Sequence, residues 1–203
     1  MKSIKKEVSI EIVIKKSTFI NYLMPVKSVE DANEKLDILK KKYNDANHHC
    51  FAYIIGKNQE IQKYSDDGEP SKTAGYPMIE VLKKHDLTNV LSVTIRYFGG
   101  IKLGAGGLVR AYTKSTANTI TLAKFTYLEN YTELLVTVDF NQIGNVEKYI
   151  RDHFKLQNTT YEESVTYSII LKTVSLESFK TKITNLSKGN ASIDIKGSYA
   201  IYE

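Results

Sequence analysis

A chain of 203 residues with 42% hydrophobic and 25% charged residues holds enough apolar material for a packed core, and its length suits one large domain or two small ones. No apolar run reaches the roughly 18–20 residues that span a bilayer, and a single cysteine excludes both an internal disulfide framework and a multi-cysteine zinc site. The formal charge of +5 is uneven, with 20 Lys/Arg against 14 Asp/Glu in residues 1–129 and 8 against 9 in residues 130–203, so only the first part suits a polyanion.

The basic start does not read as a signal peptide, because Glu7 and Glu11 interrupt any apolar core; the expected location is the cytoplasm. Alternation predicts strands over residues 8–14 and 19–26. Ser28 then offers an N-cap, with Asp31 three residues on, to a helix whose buried stripe is Val29, Ala32, Leu36, Leu39 and Tyr43. Residues 49–55 alternate as a strand, with Phe51, Tyr53 and Ile55 on one face and His48, Cys50, Ala52 and Ile54 on the other.

The acidic segment 65–75, SDDGEPSKTAG, supports two readings. Asp66, Asp67 and Glu69 are oxygen ligands of the kind Mg²⁺ prefers, while Asp-Gly and Glu-Pro form turns and Ser71 or Thr73 can cap the helix expected over residues 77–85. The next strand places Leu91, Val93, Ile95 and Tyr97 on one side and Ser92, Thr94 and Arg96 on the other. Gly99, Gly100, Gly104, Gly106 and Gly107 follow, with Lys102 among them, and from Leu108 the pattern becomes helical.

Glycines that admit backbone amides, placed ahead of a helix N-terminus, suit an anion such as phosphate; they also suit a plain strand-to-helix corner. The segment is neither a Walker A loop, since Ala105 and Gly106 replace the Lys and Ser/Thr, nor a dinucleotide fingerprint, since Val109 replaces the third glycine. Arg96, Lys102, Arg110 and Lys114 form the best basic constellation, either as phosphate contacts or as solvated charge. His48, His49 and Cys50 read as strand residues rather than as metal ligands or a nucleophile.

The second part alternates over residues 133–139, turns helical over 142–154, and continues as strands 159–163 and 165–171. A helix stripe of Leu176, Phe179, Ile183 and Leu186 leads to a last strand through Ile193, Gly197 and Ile201. The order βαββαβ is the ferredoxin-like arrangement. Residues 127–131 are the expected domain boundary, giving an α+β domain over 1–129 and the ferredoxin-like domain over 130–203.

Residues 65–71, 73–75, 96–104 and 106–112 together resemble the YigZ/IMPACT family, as do Ala46, His48, Cys50, Ala52 and Tyr53. Lys72, where the family usually has a small residue, and Thr18, where an Arg is common, depart from its pattern. The resemblance covers the whole chain. It implies a ribosomal-protein-like α+β first domain, as in domain IV of elongation factor G, and a second domain like that factor's domain V. It also implies a role near RNA or the ribosome, since eukaryotic relatives regulate translation by competing for the activator of a starvation-sensing kinase.

The expected function is therefore a non-enzymatic, RNA- or ribosome-associated binding protein of translation. No cofactor and no membrane are expected, and the phosphate-binding set is Arg96, Gly99, Gly100, Lys102, Gly104, Gly106, Gly107, Arg110 and Lys114. A protein-interaction module binding a translation regulator, and an enzyme using the glycine-rich loop for a nucleotide with Mg²⁺ on the acidic segment, are the rivals.

Overall fold

Turn chemistry and alternation set the first elements, and a computed structural model describes residues 1–202. The chain runs β1 (Lys2–Ile4), β2 (Val8–Ile14), β3 (Ser17–Pro25), α1 (Val29–Lys42), β4 (His48–Ile55), β5 (Ile61–Ser65), α2 (Gly75–Lys84), β6 (Val90–Tyr97), α3 (Ala105–Thr121) and β7 (Phe125–Val138). It continues through α4 (Ile143–His153), β8 (Lys155–Tyr161), β9 (Val165–Lys172), α5 (Leu176–Leu186) and β10 (Ser192–Tyr202). Two compact units divide it between Tyr127 and Leu128. Both mix helix and strand, as the α+β reading requires.

In the first unit, β2, β3, β6, β4 and β5 form an antiparallel sheet in that order. Lys15 and Lys16, both at positive φ, make the two-residue turn that matches the twist of the β2–β3 hairpin. Ser28 caps α1 by accepting from the Asp31 amide at 3.2 Å, and the Asp31 carboxylate accepts in return from the Lys27 amide.

Both faces of this sheet are covered. Tyr22, Phe51, Tyr53, Leu91, Val93 and Ile95 pack with α1 on one side. Phe19, Leu23, Cys50, Ala52 and Ile54 pack with α2 and α3 on the other. The supposed polar face of β6 is consequently interior, and Ser92, Thr94 and Arg96 are all buried. Asn21 Nδ2 there donates to Ser92 Oγ at 2.9 Å and to Thr94 Oγ1 at 2.7 Å, so both buried hydroxyls are partnered.

In the second unit β10, β7, β9 and β8 lie side by side, all antiparallel, which is the ferredoxin-like strand order. Leu134, Val136, Tyr167 and Ile169 meet Val146, Ile150, Phe179 and Ile183 of α4 and α5 in its core. Residues 127–131, expected as a boundary segment, lie inside the unbroken strand β7, whose first three residues pair with β1. Strand β8 begins at Lys155 rather than at residue 159, because Phe154 is already extended after α4. Strands β1 and β5 were not legible. The first has three residues, and the second, IQKYS, is a largely exposed edge strand without an apolar face.

Candidate functional site

The acidic segment folds into a loop whose carboxylates are spent on backbone and side chains. Asp66 Oδ1 accepts from the Ala74 and Gly75 amides, both at 2.9 Å, and Oδ2 from the Lys72 amide at 2.8 Å. Asp66 thus caps α2, a task the sequence suggested for Ser71 or Thr73. Asp67 Oδ2 holds the His49 amide at 2.6 Å, and the Asp67 carbonyl meets His48 Nδ1 at 2.8 Å. Glu69 turns inward instead.

Its Oε1 accepts from Arg96 Nη1 at 2.6 Å and from the Tyr112 hydroxyl at 2.7 Å. Its other oxygen lies 4.0 Å from His48 Nε2. Asp66, Asp67 and Glu69 therefore do not converge as a Mg²⁺ site. No group of three His, Cys, Asp or Glu side chains able to hold a metal exists among the described residues. The backbone needed those oxygens first.

Arg96 is corrected likewise. It was expected on the polar face of its strand, as a phosphate contact or as solvated charge, yet α3 covers that face and leaves Arg96 only 5% exposed. Its guanidinium lies between the rings of Phe19 at 5.4 Å and Phe98 at 5.5 Å, and Nη2 reaches Ser17 Oγ at 3.4 Å. Two of its five N–H donors point at Glu69 and Ser17, and Nε has no hydrogen-bond partner among the described residues. Cys50 completes the cluster, its Sγ 3.0 Å from the Asp66 carbonyl and 3.3 Å from the Tyr112 hydroxyl. Burial pushes the Cys50 thiol and the Tyr112 hydroxyl well above their ordinary ranges, and the Glu69 charge pushes both further.

The glycines divide by task. A Cβ on Gly99 would stand 2.0 Å from the backbone of Lys16, so only glycine lets the loop pass the β2–β3 turn, where its amide donates to Ser17 Oγ at 3.1 Å. Gly100 (φ 82°) and Gly104 (φ 70°) hold left-handed backbone with open space around them. Gly104 is also the N-cap of α3 and supplies no side-chain hydrogen bond there. Gly106 and Gly107 occupy the first turn, which contains no acidic residue. The amides at that end have no acceptor within the helix, and they carry the positive end of its dipole.

Lys102, Gly104, Ala105 and Leu108 face Glu69, Pro70, Arg96 and Phe98 across a cleft of about 350 Å³. Lys102, Arg110 and Lys114 are exposed, and the Arg110 guanidinium lies along the first turn of α3 near Gly106. The structure thus gathers Arg96, Lys102, Gly104 and the start of α3, and it places Arg110 and Lys114 further along the helix. Gly99 and Gly100 shape the loop without lining the cleft. Sequence reasoning missed Ser17 and Phe19 as partners of Arg96 and left Phe98 without a role. Ser17 is 79 residues away along the chain, and no local signal links the two.

Comparison with known proteins agrees with this architecture. The family model described as "Impact N-terminal domain" matches residues 15–120, and "Domain of unknown function (DUF1949)" matches residues 136–190. The chain is 41% identical over 184 residues to "IMPACT family member YvyE" of Bacillus subtilis, covering 90% of this chain and 85% of that protein. It is 33% identical over 183 residues to "IMPACT family member YigZ" of Escherichia coli, covering 87% and 88%. A solved structure titled "Crystal structure of an hypothetical protein" superposes with a TM-score of 0.62 at 30% identity, over 95% of each chain. The chain belongs to the IMPACT family.

Proposed function

We propose that this chain is a non-enzymatic binding protein of translation whose first unit holds RNA phosphates around the N-terminal half of α3. One observation carries the reading: Lys102 stands exposed ahead of α3 and Arg110 and Lys114 along its N-terminal half, and the helix starts with neither an acidic residue nor a side-chain cap. Backbone amides and basic side chains at a helix N-terminus position phosphates without reading sequence. The absorption of Asp66, Asp67 and Glu69 into structural bonds weighs against the nucleotide-enzyme alternative. No helix among the described residues is long and apolar enough to cross a membrane.

A second reading rests on a separate groove of about 510 Å³ between α2 and α3, where Tyr76, Pro77, Val81 and Val109 are rimmed by Lys72 and Lys84. Such a surface suits a protein partner of the translation apparatus.

The test is co-sedimentation with ribosomes and binding to structured RNA at two salt concentrations, for wild type and for Arg110→Glu/Lys114→Glu. Affinity should fall steeply with salt, and losing two phosphate contacts should reduce the magnitude of the logarithmic salt slope by about 2. Wild-type protein that binds no RNA at low salt refutes the RNA reading. A partner captured after nuclease treatment and lost on Val109→Asp favours the second.

A further inference from the structure

Three features of the cleft at the start of α3 are not used by simple contact with a phosphate backbone. The first is its shape. At about 350 Å³ it sits near the lower end of the roughly 300–1,000 Å³ typical of ligand sites, room for one planar group with its phosphate but not for a duplex. The second is Arg96, which lines the cleft almost fully buried while its Nε lacks any partner among the described residues. The third is Phe98, which lines the same cleft, rests one side on the Arg96 guanidinium, and is still 46% exposed.

The backbone that carries Phe98 is anchored. Its amide donates to Asn47 Oδ1 at 2.7 Å, and the next amide, of Gly99, is held by Ser17. An exposed aromatic ring beside a helix N-terminus and a lysine is the pairing that single-stranded nucleic acid uses, with a stacking face for a base and positive charge for its phosphate. Bases inside a duplex are stacked on each other and cannot offer that face.

We infer that the cleft receives one nucleoside phosphate, its base against Phe98 and its phosphate between Lys102 and the first amides of α3. The inference rests on the RNA reading for its source, an unstacked nucleotide of an RNA strand; a free nucleotide presents the same chemistry. Glu69 does not oppose the phosphate as a free charge, because Arg96 and Tyr112 already bind it.

The chain contains no tryptophan, so Phe98→Trp keeps a stacking ring and installs a single indole reporter. Its emission should be quenched by a single-stranded RNA oligonucleotide and by a nucleoside 5′-monophosphate, and unchanged by inorganic phosphate or by a duplex of the same sequence. Phe98→Ala, at an exposed position, should weaken single-strand binding about tenfold with the salt slope unchanged, and erase the preference over duplex. RNA that binds without quenching the indole, or that binds Phe98→Ala as well as wild type, overturns the inference and leaves the phosphate reading standing. Quenching by the monophosphate with no binding of RNA supports the cleft assignment and assigns the source to a free nucleotide, refuting the RNA reading alone. A monophosphate and an RNA that both leave the indole unquenched overturn the inference whatever the protein does with ribosomes.

Discussion

Arg96 Nη1 and Glu69 Oε1 meet at 2.6 Å, with 6% and 4% of their side chains exposed. The pair ties β6 to the acidic loop ahead of α2, and Tyr112 ties the same carboxylate to α3. Glu69 is thereby the point where the loop, the sheet and the glycine-started helix are joined.

Removing one partner of a buried ion pair strands the other, so Glu69→Ala should cost about 3–5 kcal/mol in urea unfolding. Glu69→Leu/Arg96→Met, which removes both charges, should cost clearly less than the sum of its single variants. Additive single and double variants would show that the two groups act independently.

Gly99→Ala should destabilise by at least about 2 kcal/mol, since the new methyl would overlap the Lys16 backbone and the loop must shift. Gly100→Ala meets open space and bears only the left-handed backbone, a cost of about 1 kcal/mol. Thermal melts of the two variants side by side check the order.

Asp66→Ala should destabilise by about 2 kcal/mol through loss of the α2 cap, with amide exchange fastest at Ala74 and Gly75. Because its oxygens already serve those amides, adding Mg²⁺ should leave the melting temperature of the wild type unchanged. A rise that disappears in Asp66→Ala would restore the metal reading.

Cys50 should resist thiol reagents in the folded protein at neutral pH and react fully once unfolded, because burial keeps the thiol protonated. The same raised ionisation lowers stability in alkali. The unfolded thiol ionises near its ordinary value of 9.0 while the folded one does not, so this contribution is complete below that pH and lost above it. The loss is up to about 1.4 kcal/mol per pH unit for one group, and the buried Tyr112 hydroxyl adds its own loss above its ordinary value of 10.0. Urea unfolding of wild type and Cys50→Ala at pH 8 and pH 10.5 separates the two.

The alternation of β2, β3, β4 and β6, the Ser28 cap and the stripes of α4 and α5 were legible in the chain, because each is a local consequence of period and propensity. So was the βαββαβ order, and so were the glycines and basic residues at the start of α3. The fate of Arg96 was not legible. Alternation put it beside Ser92 and Thr94, but whether that face meets water depends on where α2 and α3 pack, and they bury it. The acidic loop shows the same limit: three carboxylates within four residues look like one site, and backbone geometry sends each to a different partner. Residue type and spacing determined which basic residues and glycines stand at the start of α3. Only the tertiary structure decided that Lys102, Phe98 and the start of α3 share one cleft with the Glu69–Arg96 pair, because desolvation and partnering depend on neighbours distant in the chain.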